Sequence, residues 1–158
     1  MIPYGKQDIT QEDIDSVIKI LKSDFLTQGP AVPHFEKSLC NFSGSEYAIA
    51  MNSCTSALHV ACLSLDLKAG DIVWTSPISF VASANCALYC GASVDFVDVD
   101  PNTFCIDPSE IEKKITKKTK AVFMVHLYGA VCNIEKIKKI MKKNNIFLIE
   151  DCAESIGS

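Results

Sequence analysis

The sequence contains no arginine: all fifteen basic residues are lysines. Lysine is a point charge without the planar fork that grips phosphate or carboxylate through two parallel hydrogen bonds. Any such grip must come from backbone N–H groups or from another chain. No apolar run approaches the roughly 18 residues of a transmembrane helix. The opening Met1–Asp8 lacks the basic start and apolar stretch of a secretion signal. No Cys-x-x-Cys pair occurs among the eight cysteines, 40, 54, 62, 86, 90, 105, 132 and 152, although Cys86 and Cys90 would share a helix face. With only His34, His59 and His126 beside them, zinc-site spacing is missing, and most cysteines sit in apolar strings such as Val60-Ala61-Cys62-Leu63. They read as reduced, buried small hydrophobes, so neither metal nor disulfide is expected. A net charge of −4 gives no reason to expect a nucleic-acid or membrane-surface partner. These absences describe a globular, cytoplasmic chain.

What is present is a core. The 158 residues, 48% of them apolar, suffice for one domain. Thr10 is a good N-cap for a helix over Gln11–Lys22, with Glu12 and Asp13 in its first turn and Ile14, Val17, Ile18 and Leu21 at helical spacing. A second helix, 31–43, carries Val32, Phe35, Leu39 and Phe42 and stops before Gly44. Short apolar runs then alternate with helical segments. Strands are predicted at Tyr47–Met51, Ile72–Thr75, Val94–Val97, Ala121–Val125 and Phe147–Glu150, and helices near 55–65, 80–90, 108–115 and 133–143. Near-continuous apolar strands in regular alternation with helices predict an α/β fold, a parallel sheet covered on both faces. Ten of the fifteen lysines fall between 113 and 143, interleaved with Glu110, Glu112 and Glu135, and read as solvated helix sides.

An open parallel sheet binds ligands at the carboxyl ends of its strands, and three segments fall there. Asn52–Leu58 is rich in small hydroxyl residues that either cap a helix or leave its first amides free for an anion. Ser76–Phe80 presents an aromatic ring that serves either the core or a flat ligand. Glu150-Asp151 ends an apolar strand, where Asp151 either caps a turn or pairs with a cationic ligand atom. A ligand with a phosphate, a flat ring and a protonated nitrogen would satisfy all three, and pyridoxal phosphate has each of them.

The segments Leu26–Pro30 (LTQGP), Asn52–His59 (NSCTSALH), Thr75–Asn85 (TSPISFVASAN), Val125–Gly129 (VHLYG) and Ile149–Glu154 (IEDCAE) resemble, in order and spacing, the DegT/StrS family. Its members are pyridoxal-phosphate-dependent nucleotide-sugar aminotransferases. The stretches Ile2–Gln7, Ser23–Pro30 and Cys86–Ala92 look most like the branch that serves pseudaminic acid biosynthesis. The resemblance implies the large domain of the aspartate-aminotransferase fold (fold type I), here incomplete. Residues 1–45 would be an N-terminal helical segment and 46–158 the first part of the cofactor-binding domain.

Carried over position by position, the resemblance implies that Cys54 and Thr55 hold the cofactor phosphate and that Phe80 stacks on the pyridine ring. Asp151 pairs with the ring nitrogen, and Glu154 matches the position that reaches the phenolic oxygen, where a carboxylate would repel a phenolate unless protonated. Thr27, Gln28 and Gly29 match a loop near the substrate sugar. No lysine present matches the family's Schiff-base lysine, which would lie beyond Ser158 together with the small C-terminal domain. The chain is thus expected to be an inactive N-terminal fragment of a homodimeric enzyme. That enzyme would move an amino group, from glutamate, to a nucleotide-linked 4-keto-6-deoxy sugar of the UDP-N-acetyl-altrosamine type. Glu154 resembles the perosamine branch instead, and a non-catalytic α/β module binding a phosphate or nucleotide is the alternative outside the family.

Overall fold

The structure, a computed structural model, describes residues 6–158. Ile2–Gly5, part of the family-like opening, lie outside the described residues. The chain forms two compact units that divide between Ala50 and Met51.

In the first unit, helix α1 spans Gln11–Leu21. Thr10 Oγ1 accepts the Asp13 amide at 3.3 Å while Asp13 Oδ2 accepts the Thr10 amide at 2.8 Å, a reciprocal cap that satisfies two otherwise free donors. The Thr10 amide and hydroxyl, both donating to Asp13 Oδ2, hold that carboxyl below its usual range. Helix α2, Ala31–Ser43, begins after Pro30 and ends where Gly44 turns left-handed at φ 72°, a conformation that costs glycine little. The apolar faces read from the sequence are formed but not covered, since neither helix has a buried residue.

The expectation of a strand at Tyr47–Met51 is overturned: the segment is irregular, with Tyr47 78% and Ile49 73% exposed. Its apolar pattern suits a strand, but a strand exists only by pairing its backbone. Among the described residues none of the four strands pairs with it, and the Ala50 amide donates to Glu36 Oε1 at 2.9 Å instead.

The second unit holds helices α3 (Cys54–Ser64), α4 (Ala82–Tyr89), α5 (Pro108–Lys114) and α6 (Ile134–Asn144). Strands β1 (Ile72–Thr75), β2 (Ser93–Phe96), β3 (Thr119–Val125) and β4 (Phe147–Asp151) form one parallel sheet in the order β2-β1-β3-β4. The predicted helices and the last four predicted strands therefore stand within one or two residues of their expected ends. Alternate side chains of the central strands feed two cores. Val73, Ala121 and Phe123 pack with Leu58 and Cys62 of α3 and Cys86 and Ala87 of α4. Trp74, Val122 and Met124 pack with Ile111 of α5 and Ile137, Ile140 and Met141 of α6. Both faces of the sheet are covered, as a parallel sheet requires.

The connection from β2 to β3 passes β1 through α5, on the opposite face from α4. The strand order thus reverses between β1 and β3, and it is in the crevice outside the strand ends at such a reversal that open α/β sheets bind their ligands.

Candidate functional site

The crevice is lined by the carboxyl ends of the strands and the loops that leave them. Beyond β1 come Ser76, Ser79 and Phe80; beyond β3 comes His126; β4 ends in Glu150 and Asp151. Helix α3 starts at Cys54. Ser53, in extended conformation, caps it by accepting the Ser56 amide at 3.1 Å, and the Ala57 amide bonds back to Ser53 O. The Cys54 and Thr55 amides are the first two of the helix, and among the described residues neither donates to a protein acceptor. Two free N–H groups at the positive end of a helix form a seat for an anion.

Asp151 is 5% exposed. Its Oδ1 accepts the Ala153 amide at 3.1 Å and faces the Cys54 thiol at 3.8 Å, and its Oδ2 accepts the Ser83 hydroxyl at 3.0 Å. Residues 97 positions apart are thereby brought side by side: the carboxyl end of β4 touches the start of α3. Burial, then the Asp151 charge, pushes the Cys54 thiol above its ordinary range, so it remains a neutral donor toward that carboxylate. Phe80 lies in the loop before α4 and is 72% exposed; its carbonyl accepts the Ser83 amide at 3.2 Å. Glu154 Oε2 accepts the Tyr128 amide at 3.0 Å, so this carboxylate already holds the short turn Leu127–Gly129, in which Tyr128 is left-handed at φ 51°. Thr27, Gln28 and Gly29 lie in the first unit, between α1 and α2. Gln28 is left-handed at φ 55°, and a Cβ on Gly29 would come within 2.8 Å of Phe25 Cβ, so only glycine fits there.

Sequence reasoning missed several groups. Ser83, 1% exposed, and His126, 4% exposed, both serve the end of β4. The His126 amide donates to Asp151 O at 3.2 Å, and its Nδ1 accepts the Cys132 amide at 3.1 Å. Among the described residues, Thr75 Oγ1 and Ser155 Oγ are buried without a protein partner. His126, Glu150 and Cys152 bring ligand atoms within 4.8 Å of one another. A ring that accepts at Nδ1 keeps its proton on Nε2, however, and so offers a metal ion no lone pair. Glu150 is instead paired with a lysine, its Oε1 lying 3.2 Å from Lys138 Nζ. None of these roles has a local sequence signal, because each depends on partners brought by the sheet.

The DegT/DnrJ/EryC1/StrS aminotransferase family model matches residues 7–158. The chain belongs to this family. It is 40% identical over 161 residues to the UDP-4-amino-4,6-dideoxy-N-acetyl-beta-L-altrosamine transaminase of Campylobacter jejuni, covering 100% of this chain and 42% of that protein. It is 37% identical over 145 residues to the GDP-perosamine synthase of Caulobacter vibrioides, covering 91% and 39%. The PLP-form structure of a putative sugar aminotransferase, Spr1654 from Streptococcus pneumoniae, superposes with a TM-score of 0.92 at 29% identity, over 99% of this chain and 44% of that one. The fold is thus that of the pyridoxal-phosphate aminotransferases of fold type I, in a partial large domain. The chain spans about two fifths of the length of the curated relatives it matches.

Proposed function

We propose that the chain is the N-terminal part of a longer pyridoxal-phosphate-dependent aminotransferase acting on nucleotide sugars. The observation that carries this reading is the contact between Cys54 and Asp151. It sets a buried carboxylate at a strand end beside a helix N-terminus whose first amides are free. An anionic aromatic group with a cationic ring nitrogen fits those residues. The Cys54 and Thr55 amides and the Thr55 hydroxyl would take the phosphate, and Asp151 the ring nitrogen. Phe80 would lie over the ring.

Pyridoxal phosphate, once bound, supplies an electron-poor ring that takes up the electron pair freed when a substrate C–H proton leaves. This chain's own part is to bind and orient. Asp151 would hold the ring-nitrogen proton and the start of α3 would balance the phosphate charge. Glu154, engaged by the Tyr128 amide, holds the Leu127–Gly129 turn. Thr27, Gln28 and Gly29 would contact the sugar, while a lysine outside this chain would carry the covalent chemistry and the proton transfer.

We take the substrate to be a UDP-linked 4-keto-6-deoxy-N-acetyl sugar of the altrosamine type, the amino donor to be glutamate and the whole enzyme to be a cytoplasmic homodimer. Similarity to the altrosamine transaminase, 40% over the whole chain, supports that choice. Similarity to the perosamine synthase, 37%, together with Glu154, supports a GDP-linked substrate as the second reading. Among the described residues no helix is long and apolar enough to cross a membrane.

The test is to supply the full-length protein, loaded with pyridoxal phosphate, with glutamate and either the UDP-linked or the GDP-linked keto sugar, and to weigh the products. An amino sugar formed from the UDP substrate is expected. Product from the GDP substrate alone would transfer the assignment to the second reading. No cofactor absorbance and no product from either would refute both.

A further inference from the structure

Ser83 stands in the first turn of α4 between Ala82 and Ala84, and its hydroxyl makes no bond within its own helix. A serine so placed usually returns its hydroxyl to a nearby carbonyl, and alanine would be the better helix former. Instead Oγ donates to Asp151 Oδ2 at 3.0 Å, across 68 residues of sequence. A hydroxyl has one hydrogen, so Ser83 cannot also donate to Ser79 Oγ, 3.3 Å away. Ser79 must donate to Ser83, and the chain of hydroxyls runs one way, from the Phe80 loop to the carboxylate.

A carboxylate accepts at about four lone-pair positions. Two of them, on Oδ1, face the Ala153 amide and the Cys54 thiol, and one on Oδ2 takes Ser83. Among the described residues no other donor reaches the Asp151 carboxylate, so the remaining position is on Oδ2. The outer torsion of an aspartate is broad and nearly two-fold, and nothing intrinsic to Asp151 decides which oxygen faces the crevice. The donors around it decide.

We propose that Ser83 is a positioning residue that fixes the Asp151 carboxylate so that Oδ2 presents its one open lone pair to the cofactor's ring nitrogen. This role rests on the proposed pairing of Asp151 with that nitrogen. Ser79 orients the Ser83 hydroxyl, which links the loop carrying Phe80 to the Asp151 carboxylate.

The experiment titrates the full-length apoprotein with pyridoxal phosphate and with its analogue bearing carbon in place of the ring nitrogen. The readout is the ratio of the two affinities, which general damage to folding or packing does not alter. Wild type should prefer pyridoxal phosphate, and Asp151→Asn should abolish the preference. Ser83→Ala should lower the ratio by about tenfold, the scale of one hydrogen bond to a charged group. Affinity for the analogue should stay within about twofold, and Ser83→Thr should restore the preference. Should the alanine variant not fold, Ser83→Cys, nearly the same shape with a weaker donor, provides the same comparison. An unchanged ratio in the Ser83→Ala or Ser83→Cys variant, with Asp151→Asn still abolishing the preference, would overturn the positioning role alone. A wild type with no preference, or an Asp151→Asn variant that keeps it, would overturn the pairing of Asp151 with the ring and this proposal with it.

Discussion

The buried His126 side chain faces two partners, and substitution can separate them. Its Nδ1 accepts the Cys132 amide at 3.1 Å, while its Nε2 lies 3.6 Å from Glu150 Oε2. The second distance is too long for a hydrogen bond, and the Glu150 side chain is 33% exposed, so this contact is worth at most about 1 kcal/mol. The first is different, because a buried amide left without an acceptor costs about 1–3 kcal/mol. Asparagine places its carbonyl oxygen near the position of Nδ1 and can accept the Cys132 amide. Glutamine places its polar end near Nε2 and cannot without refolding its side chain. His126→Gln should therefore be less stable than His126→Asn by about 1–3 kcal/mol, although glutamine is the closer match in length and retains the contact with Glu150. Urea unfolding of the full-length variants, followed by circular dichroism, measures the order of the midpoints. Coincident midpoints, or a glutamine variant more stable than the asparagine one, would show that the Cys132 amide is not what His126 is buried for.

Three further outcomes are expected. Cys54→Pro compared with Cys54→Ala isolates one amide, because Ser53 is extended and proline is tolerated at the first helical position. Cofactor titration should show the proline variant binding about tenfold more weakly, and equal affinities would exclude that N–H from the phosphate seat. Burial, then Cys105, pushes the Cys132 thiol up to about 12. The unfolded thiol ionises near 8.5, so the folded state binds the proton more tightly. That contribution to stability is complete below about pH 8.5 and is lost as pH rises toward about 12, by at most about 1.4 kcal/mol per pH unit. Denaturation at pH 8 and pH 10 should show the loss, and Cys132→Ala should reduce it. Asn145, left-handed at φ 55° beyond α6, should gain about 0.5 kcal/mol when replaced by glycine, measured as a higher urea midpoint.

How much was legible in the sequence depended on how local the cause was. The capping of α1 by Thr10 and the stop of α2 at Gly44 were readable because cap and helix are neighbours in sequence. The central strands β1 and β3 were readable because each is apolar on both faces. Tyr47–Met51 has the same apolar look, yet its backbone found no edge to join, and no pattern in a single segment reports whether a partner exists. Asp151 could be singled out as a carboxylate ending an apolar strand. Ser83 and His126 could not, because a serine among alanines and a histidine after a strand acquire meaning only when β4 lies beside them. The Tyr128 amide's hold on Glu154 was likewise hidden, since it joins two turns 26 residues apart.

The division of β3 between two cores fixes its length. Deleting one residue from it would exchange Ala121 and Phe123 for Val122 and Met124 between faces of different shape. Since Val125 pairs with Asp151, the same deletion would also slide that carboxylate by about 3.3 Å relative to its neighbours. Natural length changes in this family should therefore collect in the loops flanking β3 and never within it, and the strand serves as the ruler by which the crevice is set out.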